Sequence, residues 1–92
     1  MKNKELKKVL EKLKTLTNKR TAQVIDLLEG GEMFAKQIDA DSGMDQAQVS
    51  VNMKRLIKHG YVKYRKEGKF KYYSLTNERD RVIDICNKFS EL

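Results

Sequence analysis

Apolar residues recur at spacings of three and four near both ends of the chain, which is the period of one face of an α-helix. This pattern predicts a first helix over residues 4–16 and a last helix over residues 78–91. The stripe of the first helix is almost purely aliphatic, and a small domain needs less than this to dock a terminal helix. We therefore expect the first helix to pack on its own chain and also to meet a partner chain.

The same period continues between the two ends, interrupted by residues that favour turns. Asn18 is placed to cap a second helix, and a third helix is predicted over about residues 32–41. A tight turn from Ser42 to Met44 follows. An apolar residue is expected four positions after Ile38, where Ser42 stands, so we expect looser packing there or a compensating contact from Met44.

A fourth helix is predicted from Asp45 to Gly60, and its two sides differ in chemistry. One side is apolar, with Val49, Met53, Leu56 and Ile57, and the other carries short or basic residues, with Ala47, Ser50, Val51, Lys54, Arg55 and Lys58. Short side chains allow close approach to base edges and basic ones meet phosphates, so this side suits the major groove of DNA. The alternative is an ordinary surface helix with a positive face. Together with the third helix and the turn, the fourth helix predicts a helix-turn-helix over about residues 32–59.

After the fourth helix the apolar period changes to that of a strand. Two short strands over about residues 61–75 are predicted, joined by a turn in which Gly68 supplies the positive φ. The residues expected to hold this hairpin to the body are Val62, Tyr64, Tyr73 and Leu75. Its tip concentrates the cations Arg65, Lys66, Lys69 and Lys71. We expect such a tip to lie along a phosphate backbone.

The composition predicts one small domain over residues 1–92, with 39% hydrophobic and 36% charged residues. The net charge of +7 is unevenly distributed. Residues 1–20 contain eight basic and two acidic residues, and residues 54–71 contain eight basic and one acidic. Between them, residues 21–53 contain one basic and six acidic residues. Two basic blocks around an acidic one indicate a face that meets a polyanion. Nucleic acid is favoured over a membrane surface, because no helix pairs its cations with Trp or Phe as an interfacial anchor does.

Several classes of protein are disfavoured by what the chain contains. No apolar run approaches the ~20 residues of a membrane span, and the basic N-terminus lacks the apolar stretch of a secretory signal. A lone cysteine fits the reducing cytoplasm. One histidine, no phosphate-cradling glycine loop and no motif of paired acids predict a protein that is not an enzyme and has no cofactor.

Three features carry both a functional and a structural interpretation. Cys86 could be a redox switch, but a small core residue is favoured because free cysteine is often buried. His59 could touch phosphate or sense pH, whereas a histidine at a helix end more often bonds terminal carbonyls. Four tyrosines could stack single-stranded bases, but their alternation favours packing of the hairpin onto the body. These are Tyr61, Tyr64, Tyr72 and Tyr73.

With its order of four helices, a hairpin and a final helix, the chain resembles the ArsR/SmtB-type winged-helix repressors, small homodimeric regulators of bacteria and archaea. The similarity runs from about Leu16 to Leu75. It is carried by Gln-Ala-Gln-Val-Ser at residues 46–50, Leu-x-x-x-Gly-x-Val at residues 56–62, and a wing that closes on Tyr-Ser-Leu at residues 73–75.

The resemblance implies a mainly α fold with a small two-stranded β-wing, forming a homodimer through its first and last helices. The residues expected at that interface are Leu6, Val9, Leu10, Leu13, Val82, Ile85, Cys86 and Phe89. It also implies that the front of the fourth helix meets base edges while the wing grips the backbone. The expected DNA-binding set is Gln46, Ala47, Gln48, Ser50, Val51, Lys54, Arg55, Arg65, Lys66, Lys69 and Lys71.

The chain departs from the metal-sensing members of that family. Those carry a Cys-x-Cys type cluster before the recognition helix, or acid and histidine ligands along the final helix. This chain holds one cysteine and one histidine in all. A zinc or soft-metal site needs about three or four converging ligands, so we expect no metal site and no metal response.

These features together predict a sequence-specific double-stranded DNA-binding transcriptional regulator. Its simplest form is a dimeric repressor that occupies an inverted repeat in a promoter. One alternative is a winged-helix protein-interaction module, and another is an architectural protein that coats DNA without sequence preference. The sequence names no effector.

Overall fold

The computed structural model describes residues 3–90 and the side chains of residues 4–88. Five helices and three strands follow one another within this range. They are α1 (Asn3–Thr17), α2 (Lys19–Leu28), β1 (Met33–Phe34), α3 (Ala35–Ser42), α4 (Gln46–Lys58), β2 (Val62–Glu67), β3 (Phe70–Leu75) and α5 (Glu78–Ser90). No helix within residues 3–90 is both long and apolar enough to cross a membrane.

Side-chain caps fix where α2 and α4 begin. Oδ1 of Asn18 accepts hydrogen bonds from the backbone N–H groups of Arg20 and Thr21, at 3.0 and 3.3 Å. Asp45 and Gln48 form a reciprocal box, in which each side chain accepts a hydrogen bond from the backbone N–H of the other, at 2.8 and 3.2 Å. Such caps pair the free amides of a first helical turn. Both predicted helix starts are therefore confirmed.

The turn between α3 and α4 also agrees with the prediction. Gly43 ends α3 in the left-handed conformation, with φ +72°, which costs glycine little. Met44 is buried in the core, and its backbone N–H donates to Oγ of Ser42 at 3.1 Å. Met44 thus supplies the apolar contact that Ser42 cannot.

The start of the third helix and the number of strands were predicted wrongly. Residues 33–34 form a strand instead of a helical turn, and the sheet has three antiparallel strands in the order β1-β3-β2. Met33 pairs with Tyr73 and Phe34 pairs with Tyr72. The Phe34 ring meets the rings of Phe70 and Tyr72 edge to face, with centroids 6.2 and 6.1 Å apart. This pairing ties the hairpin directly to the N-terminal end of α3.

The core lies where α2, α3 and α4 meet the base of the hairpin and α5. Its buried members are Val24, Ile25, Leu28, Ile38, Met44, Val49, Met53, Leu56, Tyr61, Val62 and Val82. The hairpin is held at its base by Val62, and the half-buried Tyr73 and Leu75 pack against this core as predicted. Tyr64 instead has an exposed ring. The tip of the hairpin therefore projects beyond the core.

Tyr61 joins three parts of the molecule at the end of α4. Its hydroxyl donates to the backbone carbonyl of Lys12 at 2.8 Å, and its backbone N–H donates to Leu56 O at 2.9 Å. The backbone N–H of Thr76 donates to Tyr61 O at 3.0 Å. Burial raises the pKa of Tyr61 to about 12. The buried tyrosine thus links α1, α4 and the segment that leads into α5.

Replacing Tyr61 with phenylalanine should lower the free energy of unfolding by about 1 kcal/mol, because the Lys12 carbonyl loses its donor. Urea denaturation followed by circular dichroism measures the change. The matched control is Tyr64→Phe, which removes the hydroxyl of an exposed ring and should leave stability nearly unchanged. Equal losses in the two variants would show that the Tyr61 hydroxyl does not stabilise the junction.

Candidate nucleic-acid interface

The packing of α4 determines which side chains it presents outward. Val49, Met53 and Leu56 are buried, as predicted from their spacing. Ile57, on the edge of this apolar side, is half-buried. The outer surface is exposed and carries Gln46, Ala47, Ser50, Val51, Lys54 and Lys58. Val51 is 59% exposed, which is unusual for a valine on a helix that otherwise buries its apolar residues. The outer surface is thus accessible to solvent.

Three polar residues of α4 do not belong to its open front. Asn52 is buried, and its side-chain amide donates to Gln48 O at 2.8 Å. The Gln48 side chain is engaged in the cap with Asp45. Arg55, predicted on the outer side, is half-buried. The open front of α4 is therefore centred on Ala47, Ser50, Val51 and Lys54.

The hairpin tip places like charges against one another. Lys66 and Lys71 are directly opposite across β2 and β3. Lys71 Nζ lies 4.7 Å from the centre of the Tyr64 ring, and Lys69 Nζ lies 5.9 Å from that of Phe70. Within the described residues, none of these three lysines forms an ion pair. Like charges facing each other across a sheet are destabilising, so a bound anion would reduce the repulsion between these lysines.

Arg65 differs from the lysines around it. Its Nε and Nη2 donate to the two carboxylate oxygens of Glu32, at 2.9 and 2.7 Å. Its Nη1 donates to Glu67 at 2.8 Å, and the guanidinium lies 4.6 Å from the centre of the Tyr72 ring. The hydrogen bond from Arg65 lowers the pKa of the Glu32 carboxyl. Arg65 is thus engaged with two acids of its own chain.

A cleft between the hairpin tip and the starts of α3 and α4 collects further cations. Its charged or polar lining residues are Lys36, Asp39, Gln46, Lys66, Lys69 and Lys71. Lys36 was missed by the sequence analysis, because it is the only basic residue in the acidic block of residues 21–53. Within the described side chains, Oδ1 of Asp39 is buried without a hydrogen-bond partner. The cleft is therefore lined by four lysines and one acid, and through Gln46 it reaches the start of α4.

No protein-family model matches this chain. A curated relative is the HTH-type transcriptional regulator Rv0324 of Mycobacterium tuberculosis, which is 37% identical over 65 residues. The match covers 71% of this chain but only 29% of Rv0324. The chain thus corresponds to less than a third of that regulator's length.

Two solved structures from Mycobacterium bovis show the same architecture. One is a fragment of a possible transcriptional regulatory protein, with a TM-score of 0.76, 29% identity and full coverage of both chains. The other is the homodimeric winged helix-turn-helix DNA-binding domain of Mb0332, a possible ArsR-family transcriptional regulator. Its TM-score is 0.76 at 27% identity, over 99% of this chain and 88% of that one.

The chain has the winged helix-turn-helix fold of these structures and is similar to a possible ArsR-family regulator. The resemblance inferred from the sequence is thereby confirmed. In this fold α3 and α4 are the helix-turn-helix, with α4 as the recognition helix, and the β2–β3 hairpin is the wing.

The terminal helices of this winged-helix domain leave several apolar side chains uncovered. Leu6 and Leu10 on α1 are 45% and 48% exposed, and Ile83 and Ile85 on α5 are 47% and 36% exposed. Ile83 was absent from the predicted interface. Val82 was included there, yet it is buried in the chain's own core, because the apolar stripe of α5 is wide enough to face two ways. Val9, Leu13 and Cys86 are half-buried, and the Phe89 side chain lies outside the described residues.

Cys86, His59 and the four tyrosines, for which the sequence left a functional and a structural interpretation, occupy different parts of the fold. Cys86 packs against the core. His59 caps the C-terminal end of α4. Its pKa is lowered mainly by burial and also by the positive charge of the neighbouring Lys58. Tyr61 is buried and Tyr72 lies beneath Arg65, so the four tyrosines do not form one continuous exposed platform. Within the described residues, no three His, Cys, Asp or Glu side chains converge as metal ligands would.

Replacing Lys66 with glutamate should stabilise the isolated protein by about 0.5 kcal/mol, since an opposite-charge pair with Lys71 replaces a repulsive one. Thermal and urea unfolding in low salt measure this change. Lys63→Glu is the control, because it makes the same charge change on the same strand, faces the neutral Ser74 and loses the attraction of Lys63 to Glu32, so no gain is expected. A similar gain in both variants would mean that overall charge, not the cross-strand pair, is responsible.

Proposed function

We propose that the chain binds double-stranded DNA in a sequence-specific manner as a transcriptional regulator. The observation that carries this proposal is the arrangement around α4. Its exposed front of Ala47, Ser50 and Val51 lies beside wing lysines that form no ion pair within the described residues. A short-chain front suits base edges, and unpaired cations suit phosphates.

The roles of individual residues follow from their chemistry. The Ser50 hydroxyl donates or accepts a hydrogen bond at a base edge, and the Val51 side chain offers apolar contact to a thymine methyl group. Lys54 and Lys58, farther along the same surface, meet phosphates at the edge of the groove. The cleft that holds Lys36 and Lys69 receives the sugar-phosphate backbone. Phosphate contacts supply most of the affinity, so binding should weaken steeply with salt.

The protein acts as a homodimer through α1 and α5. The support is the set of exposed apolar residues on these helices, Leu6, Leu10, Ile83 and Ile85. The related Mb0332 domain is homodimeric. A two-fold axis would present two recognition helices to half-sites about one helical turn apart, as an inverted repeat.

The simplest regulatory action of such a dimer is repression in the cytoplasm by occupying a promoter. One cysteine and one histidine in the chain support regulation without a transition metal. A protein-interaction module and a non-specific DNA-coating protein are the competing functions, and the following measurements separate them.

Substitutions in the wing and on the reading face, which is the exposed front of α4 formed by Ala47, Ser50, Val51 and Lys54, should have different effects. Lys66→Ala and Lys69→Ala should each weaken binding to all duplexes about equally and reduce the salt slope by roughly one. Ser50→Ala and Val51→Ala should instead change which sequence is preferred, by about 1 kcal/mol at single positions. Selection from random oligonucleotides, followed by titrations at several salt concentrations, measures both effects.

Three outcomes of this experiment would contradict the proposal. Selection without an enriched motif would favour the DNA-coating function. Absence of salt-sensitive binding would favour the protein-interaction module. Unchanged low-salt affinity in both lysine variants would show that the wing does not contact the backbone.

Leu10→Glu should convert the dimer to a monomer and weaken operator binding at least tenfold, because each protomer would then bind only one half-site. Sedimentation velocity and DNA titration measure the two effects. Lys7→Glu, a charge change on the same helix at an exposed polar position, is the control and should leave the dimer intact. A Leu10→Glu protein that remained dimeric would rule out α1 as the interface.

A further inference from the structure

Arg65 is the one basic residue of α4 and the wing that forms ion pairs within the described residues. A side chain meant for phosphate would be expected to stay free of acids, as Lys66 and Lys69 do within the described residues. Instead, the guanidinium presents a fork of two donors to the two oxygens of Glu32, at 2.9 and 2.7 Å. Bidentate pairs of this kind are directional, and they are stronger than ordinary surface ion pairs.

The position of this pair in the sheet is informative. Arg65 belongs to β2, Tyr72 beneath it belongs to β3, and Glu32 immediately precedes β1. The contact therefore crosses all three strands at the level where the wing leaves the body. Residues 66–71, which contain the three wing lysines, lie on the far side of it. Any change in the hairpin angle at this level moves those lysines relative to α4.

We propose that Arg65 and Glu32 form a clamp that positions the wing for DNA binding. Arg65 is then a positioning residue, not a phosphate contact as the sequence suggested, and Glu32 is its obligatory partner. Glu67 and the Tyr72 ring add two further contacts to the guanidinium. This inference rests on the proposed DNA-binding function.

The clamp and a simple electrostatic role make opposite predictions for Glu32. If Arg65 contacted phosphate, Glu32→Gln would remove a repulsive acid, release Arg65 and tighten DNA binding. If the pair positions the wing, the same substitution weakens binding although the protein becomes more positive. Arg65→Lys separates the two roles as well, because lysine replaces arginine at a phosphate but cannot form the fork.

The experiment measures affinity by fluorescence anisotropy with a duplex that carries the selected sequence. Glu32→Gln and Arg65→Lys should each weaken binding about fivefold, and the double variant should be no worse than either single variant. Asp41→Asn is the control, because it removes an exposed acid that forms no ion pair within the described residues, and it should bind as tightly as the wild type. Thermal melting should show that all four proteins fold.

Hydrogen exchange of the DNA-free protein tests the clamp independently. Backbone amides of β2 and β3 should exchange faster in Glu32→Gln than in Asp41→Asn. Tighter binding by Glu32→Gln, near-wild-type binding by Arg65→Lys, or unchanged exchange would overturn the clamp. Failure of the wild type itself to bind DNA would instead overturn the proposed function, and the exchange measurement would then decide the clamp alone.

Discussion

The burial of one side of α4 is the constraint on which the rest of the structure depends. Val49, Met53 and Leu56 insert into the core, and burying each such side chain stabilises the fold by about 1.5–3 kcal/mol. Because this anchoring fixes the rotation of the helix, it also fixes which residues face outward. The helix could not turn Ser50 inward without exposing one of its buried apolar residues. The reading face is thus set by hydrophobic packing on the opposite side.

The wing combines a base that is stabilised by packing and strand pairing with a tip that is destabilised by charge repulsion. Its base is held by Val62 and by pairing with β1, but its tip contains facing lysines that repel each other. A sheet optimised for stability alone would place an acid opposite one of them. Because the tip projects beyond the core, its charges remain in water, where repulsion is weakened but still present. The local loss of stability is understandable if the tip normally lies against an anion.

The helices could be predicted from the sequence because their apolar periods are long and their caps are explicit. Asn18 and Asp45 mark helix starts by chemistry that operates within a single turn. The strand at residues 33–34 could not be found in this way, since two residues contain no period, and their partners lie about forty residues away in β3. Both sides of α4 could be predicted, because the helical period assigns each residue to a side from the local sequence alone.

The places of Arg65 and Lys36 in the site escaped prediction because they depend on contacts between distant parts of the chain. Arg65 is indistinguishable from its neighbouring lysines until Glu32 is brought beside it by the β1–β3 pairing. Lys36 joins the basic cleft only because α3 starts where that strand ends.

The short strand β1 therefore connects the two halves of the proposed DNA surface. It continues directly into α3, which packs against α4, and it pairs with β3 of the wing. A displacement of the wing that preserved its β1 pairing would carry the start of α3 with it, and the helix-turn-helix would move as well. Two surfaces coupled in this way would approach DNA as one body. The distance between the reading face and the wing lysines is then set by the fold, and in the proposed clamp it is supported by two residues whose side chains need never touch DNA.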